Sequence, residues 1–219
     1  MKKFFFLFLM VVFISFPSLA ETLELMVYGD SLSSGYKIGT KNSFASQLER
    51  ALQKKGYTVH VTNHSVKGAT SEDGVRHLNG ALAQKPDGVI LELGANDMLR
   101  HYDLKITQQN LQQILAVLQQ QQIPVLLVGM EAAALYPEEY KQDFRQMYIN
   151  LAIEHEVLLY PFFMQGLWKE DGTQVSEDYF IEDKVHPSEK GVAVMVQHIL
   201  PAVEQFISED IADVTTEKE

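Results

Sequence analysis

The feature that most constrains this chain is an alternation. Short apolar runs at residues 23–29, 88–93, 123–128 and 157–163, and an alternating apolar/polar run at 57–61, are each followed by a segment with helical spacing. The helical segments fall at 44–55, 71–84, 107–122, 137–155 and 188–207. In the first, Phe44, Leu48 and Leu52 share one face, Ser43 is placed to cap and Gly56 to stop the helix. In the third, Leu111, Ile114, Leu115 and Leu118 do the same. Pro86 marks the end of the second, and Pro201 is a point where the last could bend. Five strand–helix units in succession predict an α/β fold, a three-layer α/β/α arrangement with a five-stranded parallel sheet. Strands covered on both faces read as continuous apolar runs, as four of these do. Right-handed crossovers bring the C-terminal ends of all strands to one edge, where sites in open α/β sheets lie.

The 219 residues, 46% hydrophobic and 21% charged, suit one globular domain. The first twenty stand apart: Lys2 and Lys3, then an apolar run from Phe4 to Ile14, then Pro17, Ser18 and Ala20. That is the layout of a secretory signal peptide, too short in its apolar run for a membrane span of about 20 residues. The expected division is a signal peptide at 1–20, a single folded domain at 21–208 and an acidic flexible tail at 209–219. The protein is expected to be exported, to the periplasm first and with full secretion as the alternative, and with no membrane span left after cleavage.

Charge and composition narrow the partners. Net charge is −11, and loss of Lys2 and Lys3 makes it −13 (−11 − 2). A chain this acidic lacks the basic face that nucleic acid requires. There is no cysteine, which excludes disulfides, thiolate metal sites and a lipidated N-terminal cysteine. No HExxH-like spacing, Gly-x-Gly-x-x-Gly or Walker-type loop appears, so no metal or other cofactor is expected.

Four segments concentrate chemistry-bearing residues. Gly29-Asp30-Ser31-Leu32 follows the first strand, where a serine hydroxyl can sit near backbone N–H groups. Taken alone, this segment is explained better by a capped turn than by a nucleophile. Residues 63–70 (Asn-His-Ser-Val-Lys-Gly-Ala-Thr) follow the second strand and Gly94-Ala95-Asn96-Asp97 the third. Asp183-Lys184-Val185-His186-Pro187 precedes the last helix. Position 33 is serine, so the Gly-x-Ser-x-Gly elbow of α/β-hydrolases is absent. A serine, a histidine to take its proton and an aspartate three residues before that histidine are the parts of acyl-transfer catalysis.

These blocks, in this order, resemble those of the GDSL hydrolases, also called the SGNH superfamily. Gly29–Leu32 looks like the first block; Gly68 matches the glycine of the second, Asn96 the asparagine of the third, and Asp183 with His186 the last. Residues 28–36 and 159–164 look closest to the bacterial periplasmic thioesterase I/lysophospholipase L1/arylesterase group, with Ala95 standing where that group more often has glycine. The resemblance implies Ser31 as nucleophile, His186 as base, Asp183 as its orienting acid, and an oxyanion hole from the Ser31 and Gly68 amides and the Asn96 side chain. It also points to Leu135, in the run 132–136, as an acyl-chain contact. Trp168 follows the fifth strand and fits packing or pocket lining equally. The remaining histidines, 60, 64, 77, 101, 155 and 198, lack a partner at useful spacing and read as surface or structural residues. Asp30 and Asp97 read as loop-holding residues.

The expected function is therefore a serine esterase or thioesterase acting on small acyl esters, aryl esters, acyl thioesters and lysophospholipids, as a monomer. Two alternatives remain: a carbohydrate O-acetylesterase, and a binding protein on the same scaffold without catalysis.

Overall fold

The computed structural model describes residues 22–169 and 172–212. The expected signal peptide lies outside them, as do residues 213–219 of the expected tail. Among the described residues there are five strands, β1 (Leu23–Tyr28), β2 (Val59–Asn63), β3 (Gly88–Leu91), β4 (Val125–Val128) and β5 (Leu158–Tyr160). All pair in parallel, in the order β2-β1-β3-β4-β5. β3 and β4 are wholly buried, while the edge strand β2 alternates buried and exposed residues.

Among the described residues, six α-helices flank the sheet: α1 (Phe44–Lys54), α2 (Ser71–Leu82), α3 (Ala95–Leu99), α4 (Leu104–Gln120), α5 (Glu138–Glu154) and α6 (Glu189–Phe206). α1 packs against α6, while α2 packs against α4 and α4 against α5. The expected α/β/α layering is therefore present. Its core includes Leu25 and Val27 of β1, Ile90 and Leu91 of β3, Leu111 and Leu115 of α4, and Val203 and Phe206 of α6.

Several boundaries differ from the sequence expectation for local reasons. β2 begins at Val59 because the Tyr57 amide still bonds the Leu52 carbonyl of α1, across Gly56 at φ +100°. α4 begins at Leu104 because Asp103 caps it through the Lys105 amide. α3 was not foreseen; it starts after Gly94, whose φ of +119° a side chain rarely adopts. α6 runs through Pro201 and continues as a π-turn, Ile207–Ile211. Ile211 is only 4% exposed, beside Gly88 and Phe206, so the chain at the expected start of the tail is packed.

β1 sits between β2 and β3, so the chain departs from it first to one side and then to the other. This reversal opens a crevice beyond the C-terminal ends of β1 and β3. The segments after β1, β2 and β3 meet there.

Candidate active site

The turn after β1 is shaped by its buried side chains. A Cβ on Gly29 would fall 2.5 Å from both the Glu92 carboxyl and the Ser33 hydroxyl, so only glycine fits. Asp30, 1% exposed, accepts the Leu32 amide on Oδ1 at 2.8 Å and bends the chain sharply. The Ser34 amide closes the turn on the Asp30 carbonyl at 3.0 Å. Ser31 stands at its head, largely buried.

His186 approaches from the loop before α6. That loop is closed by the Ile181 amide on the His186 carbonyl at 3.0 Å and by the Lys184 amide on the Ile181 carbonyl at 2.9 Å. Ser188 then caps α6 through the Gly191 amide. The Tyr36 ring packs 4.7 Å from the His186 ring, centroid to centroid. His186 Nε2 is 2.9 Å from Ser31 Oγ, and Nδ1 is 2.9 Å from Asp183 Oδ2. The other Asp183 oxygen accepts the Val185 and His186 amides, both at 3.0 Å. Burial alone would raise the Asp183 carboxyl. The His186 and Val185 amides and the His186 ring outweigh it and hold that carboxyl below its ordinary value. An ionised carboxylate only accepts hydrogen bonds, so it assigns the proton of neutral His186 to Nδ1. Nε2 then faces the Ser31 hydroxyl with a lone pair.

The other two expected residues lie at the same crevice. Gly68 has φ +76°, and its carbonyl is held by Arg100 Nη2 at 2.8 Å. Among the described residues, the backbone N–H groups of Ser31 and Gly68 donate to no protein acceptor. Asn96, in the first turn of α3, donates from Nδ2 to Asp30 Oδ2 at 2.7 Å and to the Ala69 carbonyl at 3.0 Å. Its amide is thus engaged within the site. Asp97, wholly buried, accepts the Ser71 amide at 2.8 Å and the Ser71 hydroxyl, tying the loop after β2 to that after β3.

Leu135 lies on the loop after β4, 78% exposed. Trp168 packs edge-on against Phe180, with ring centroids 5.1 Å apart. His60 bonds Glu24 across β1 and β2, far from this crevice in the sheet register. Among the described residues, no cluster of three His, Asp or Glu side chains is arranged to hold a metal ion.

Sequence reasoning missed Glu92, which is 2% exposed within the apolar run 88–93. A charged residue at the end of a wholly apolar strand was the available signal. Burial first, and then the adjacent Asp30 charge, push the Glu92 carboxyl well above its ordinary value. Burial likewise pushes Asp30 up to about 7, against the Leu32 and Asn96 hydrogen bonds that favour its charged form.

Comparison with known proteins decides the lineage. The profile of the GDSL-like Lipase/Acylhydrolase family matches residues 27–194, from the end of β1 into α6. The chain belongs to that family. It is 30% identical over 204 residues to thioesterase 1/protease 1/lysophospholipase L1 of Escherichia coli (strain K12), over 93% of each chain. It is 29% identical over 204 residues to an arylesterase of Vibrio mimicus, over 92% of this chain and 95% of that one. Its fold is similar to the crystal structure of AlinE4, an SGNH-hydrolase family esterase, with 33% identity. The TM-score is 0.70, over 86% of this chain and 98% of that one. The GDSL resemblance and the three-layer fold expected from the sequence are both found, and the chain is an enzyme of the hydrolase class.

Proposed function

We propose that this GDSL hydrolase cleaves acyl esters, aryl esters and acyl thioesters through an acyl-Ser31 intermediate, with lysophospholipids among its substrates. The observation that carries this reading is the hydrogen-bond chain from Ser31 Oγ through His186 to Asp183. In the first half-reaction, Ser31 Oγ attacks the acyl carbon while His186 Nε2 takes its proton. The bond to the leaving alcohol or thiol breaks, and the proton passes from Nε2 to that group. Water repeats the sequence on the acyl-enzyme: His186 takes a proton from water, the acid leaves, and Ser31 regains its hydrogen. Asp183 keeps the proton of neutral His186 on Nδ1 and stabilises the imidazolium.

Negative charge develops on the acyl oxygen in each tetrahedral intermediate. The unpartnered Ser31 and Gly68 amides are suited to receive it. Asn96 serves as the third donor when the oxyanion competes with the Ala69 carbonyl for one of its N–H groups. Leu135, on the same edge of the sheet, is assigned to the acyl chain. With residues 1–20 acting as an export leader, the folded domain works as a monomer outside the cytoplasm, in the periplasm.

Rapid-quench mass spectrometry with a p-nitrophenyl ester tests the covalent step. An acyl mass on the peptide carrying Ser31, formed with a burst of p-nitrophenol, supports it. Steady turnover with neither burst nor adduct, even with a slowly deacylated ester, opposes it.

A further inference from the structure

The Glu92 carboxyl lies under the turn that carries Ser31. Its Oε2 accepts the Asp30 amide at 3.2 Å and the Ser33 hydroxyl at 2.8 Å. One oxygen therefore holds the chain immediately before Ser31 and two residues after it. Glu92 is fixed in turn by its own amide, which bonds the Tyr28 carbonyl at the end of β1 at 2.8 Å. Ser33 is fixed from the far side, with its hydroxyl 2.9 Å from that of Ser65 and its carbonyl 3.3 Å from Asn63 Nδ2. Gly29 leaves the space that this carboxyl fills. A lone buried carboxyl is destabilising, and an apolar side chain would satisfy the core more cheaply. What an apolar side chain cannot do is accept two donors on either side of the nucleophile.

We propose that Glu92 is a positioning residue for Ser31, its carboxyl clamping the Asp30 amide and the Ser33 hydroxyl so that the turn presents Ser31 Oγ and N–H in one fixed place. This rests on the reading of Ser31 as the nucleophile. Glu92 touches neither substrate nor reacting atoms. The clamp needs acceptor oxygens rather than charge, and burial beside Asp30 favours the protonated acid. Glutamine supplies the same acceptor and, in its NH2, a donor where the acid carries its proton. It therefore preserves the clamp, whereas leucine removes it.

The test compares Glu92→Gln, Glu92→Leu and Ser31→Ala in the full chain, with circular dichroism to establish folding. Steady-state kinetics on p-nitrophenyl butyrate are read beside the rate of Ser31 phosphorylation by diethyl p-nitrophenyl phosphate. Glu92→Leu is expected to lower kcat by about tenfold to a hundredfold, the scale set by sub-ångström to ångström misplacement of a reacting group. KM should change little, and phosphorylation should slow in parallel. Glu92→Gln is expected to recover most of both rates. If Glu92→Leu does not fold, Ser33→Ala removes one of the two anchors and should show the same split in smaller measure. A folded Glu92→Leu, or Ser33→Ala in its place, with native kcat overturns the proposal. So does a loss confined to KM, or a Glu92→Gln as slow as Glu92→Leu. An inert Ser31→Ala beside a fully active Glu92→Leu rejects the clamp alone, whereas an active Ser31→Ala rejects the nucleophile itself.

Discussion

His186 Nε2 stands 2.9 Å from Ser31 Oγ, although 155 positions separate the two residues in the chain. The sheet order makes this meeting possible. Ser31 leaves β1 at the crevice, and the loop before α6 returns to the same edge after the last strand. The contact is held from behind by Asp183, whose two oxygens divide their work between the His186 ring and two backbone amides.

That division predicts the effect of Asp183→Asn. The asparagine carbonyl can replace the oxygen that accepts the Val185 and His186 amides, leaving its NH2 to face His186 Nδ1. A donor there forces the ring proton onto Nε2, where it can no longer take the serine proton. A loss of roughly 10³–10⁴ in kcat with the fold intact is expected, the scale seen when a triad aspartate is neutralised. The measurement is kcat at neutral pH with circular dichroism on the same sample. A fall of tenfold or less would show that Asp183 does not set the tautomer.

Asn96→Ala separates ground-state from transition-state binding. In the resting enzyme the Asn96 amide is already bonded to Asp30 and to Ala69. Its proposed bond to the oxyanion forms only as charge develops, so its loss belongs in kcat rather than KM. The expected fall in kcat is about 10²–10³. A rise in KM with kcat intact would instead assign Asn96 to substrate binding.

The Asp30–Glu92 pair predicts a pH-dependent stability. Both carboxyls are raised in the folded state, Asp30 from 3.8 to about 7. Above pH 3.8 the folded protein therefore holds protons that the unfolded chain has released. Unfolding free energy falls with pH wherever the native state binds more protons. The pair's contribution is fully present below the ordinary carboxylate range and is lost as pH rises through about 7. Glu92→Gln removes one of the two groups. Its stability relative to wild type should therefore improve as the pH is raised from 5 to 7. Urea denaturation at the two pH values reads this directly, and a difference that does not change with pH would contradict it.

The architecture was legible because the buried strands β1, β3 and β4 are apolar almost throughout, and each strand is separated from the next by a helical pattern. The residues that meet at the crevice were legible because each follows a strand or precedes a helix at a distinctive short motif. Less visible were features decided by tertiary contact. Nothing local announces the short helix α3, which depends on Gly94 at positive φ. Ile211 is acidic-tail sequence by composition, yet it is buried beside Gly88 and Phe206 at the foot of β3. Glu92 was concealed by the apolar run around it. Its partners, Asp30 and Ser33, are about sixty residues away and become neighbours only when β1 and β3 pair.

The proposed chemistry stands or falls with Ser31 as the nucleophile of an acyl-ester hydrolase. The most direct measurement is hydrolysis of p-nitrophenyl esters from acetate to palmitate by the wild-type protein and by Ser31→Ala. Turnover by the wild type on short to medium chains is expected, with near-complete loss in a folded Ser31→Ala. Activity confined to acetate would favour the O-acetylesterase alternative. Hydrolysis that survives Ser31→Ala, or a folded wild type that turns over no ester in the series, would rule out Ser31 as the nucleophile of such a hydrolase.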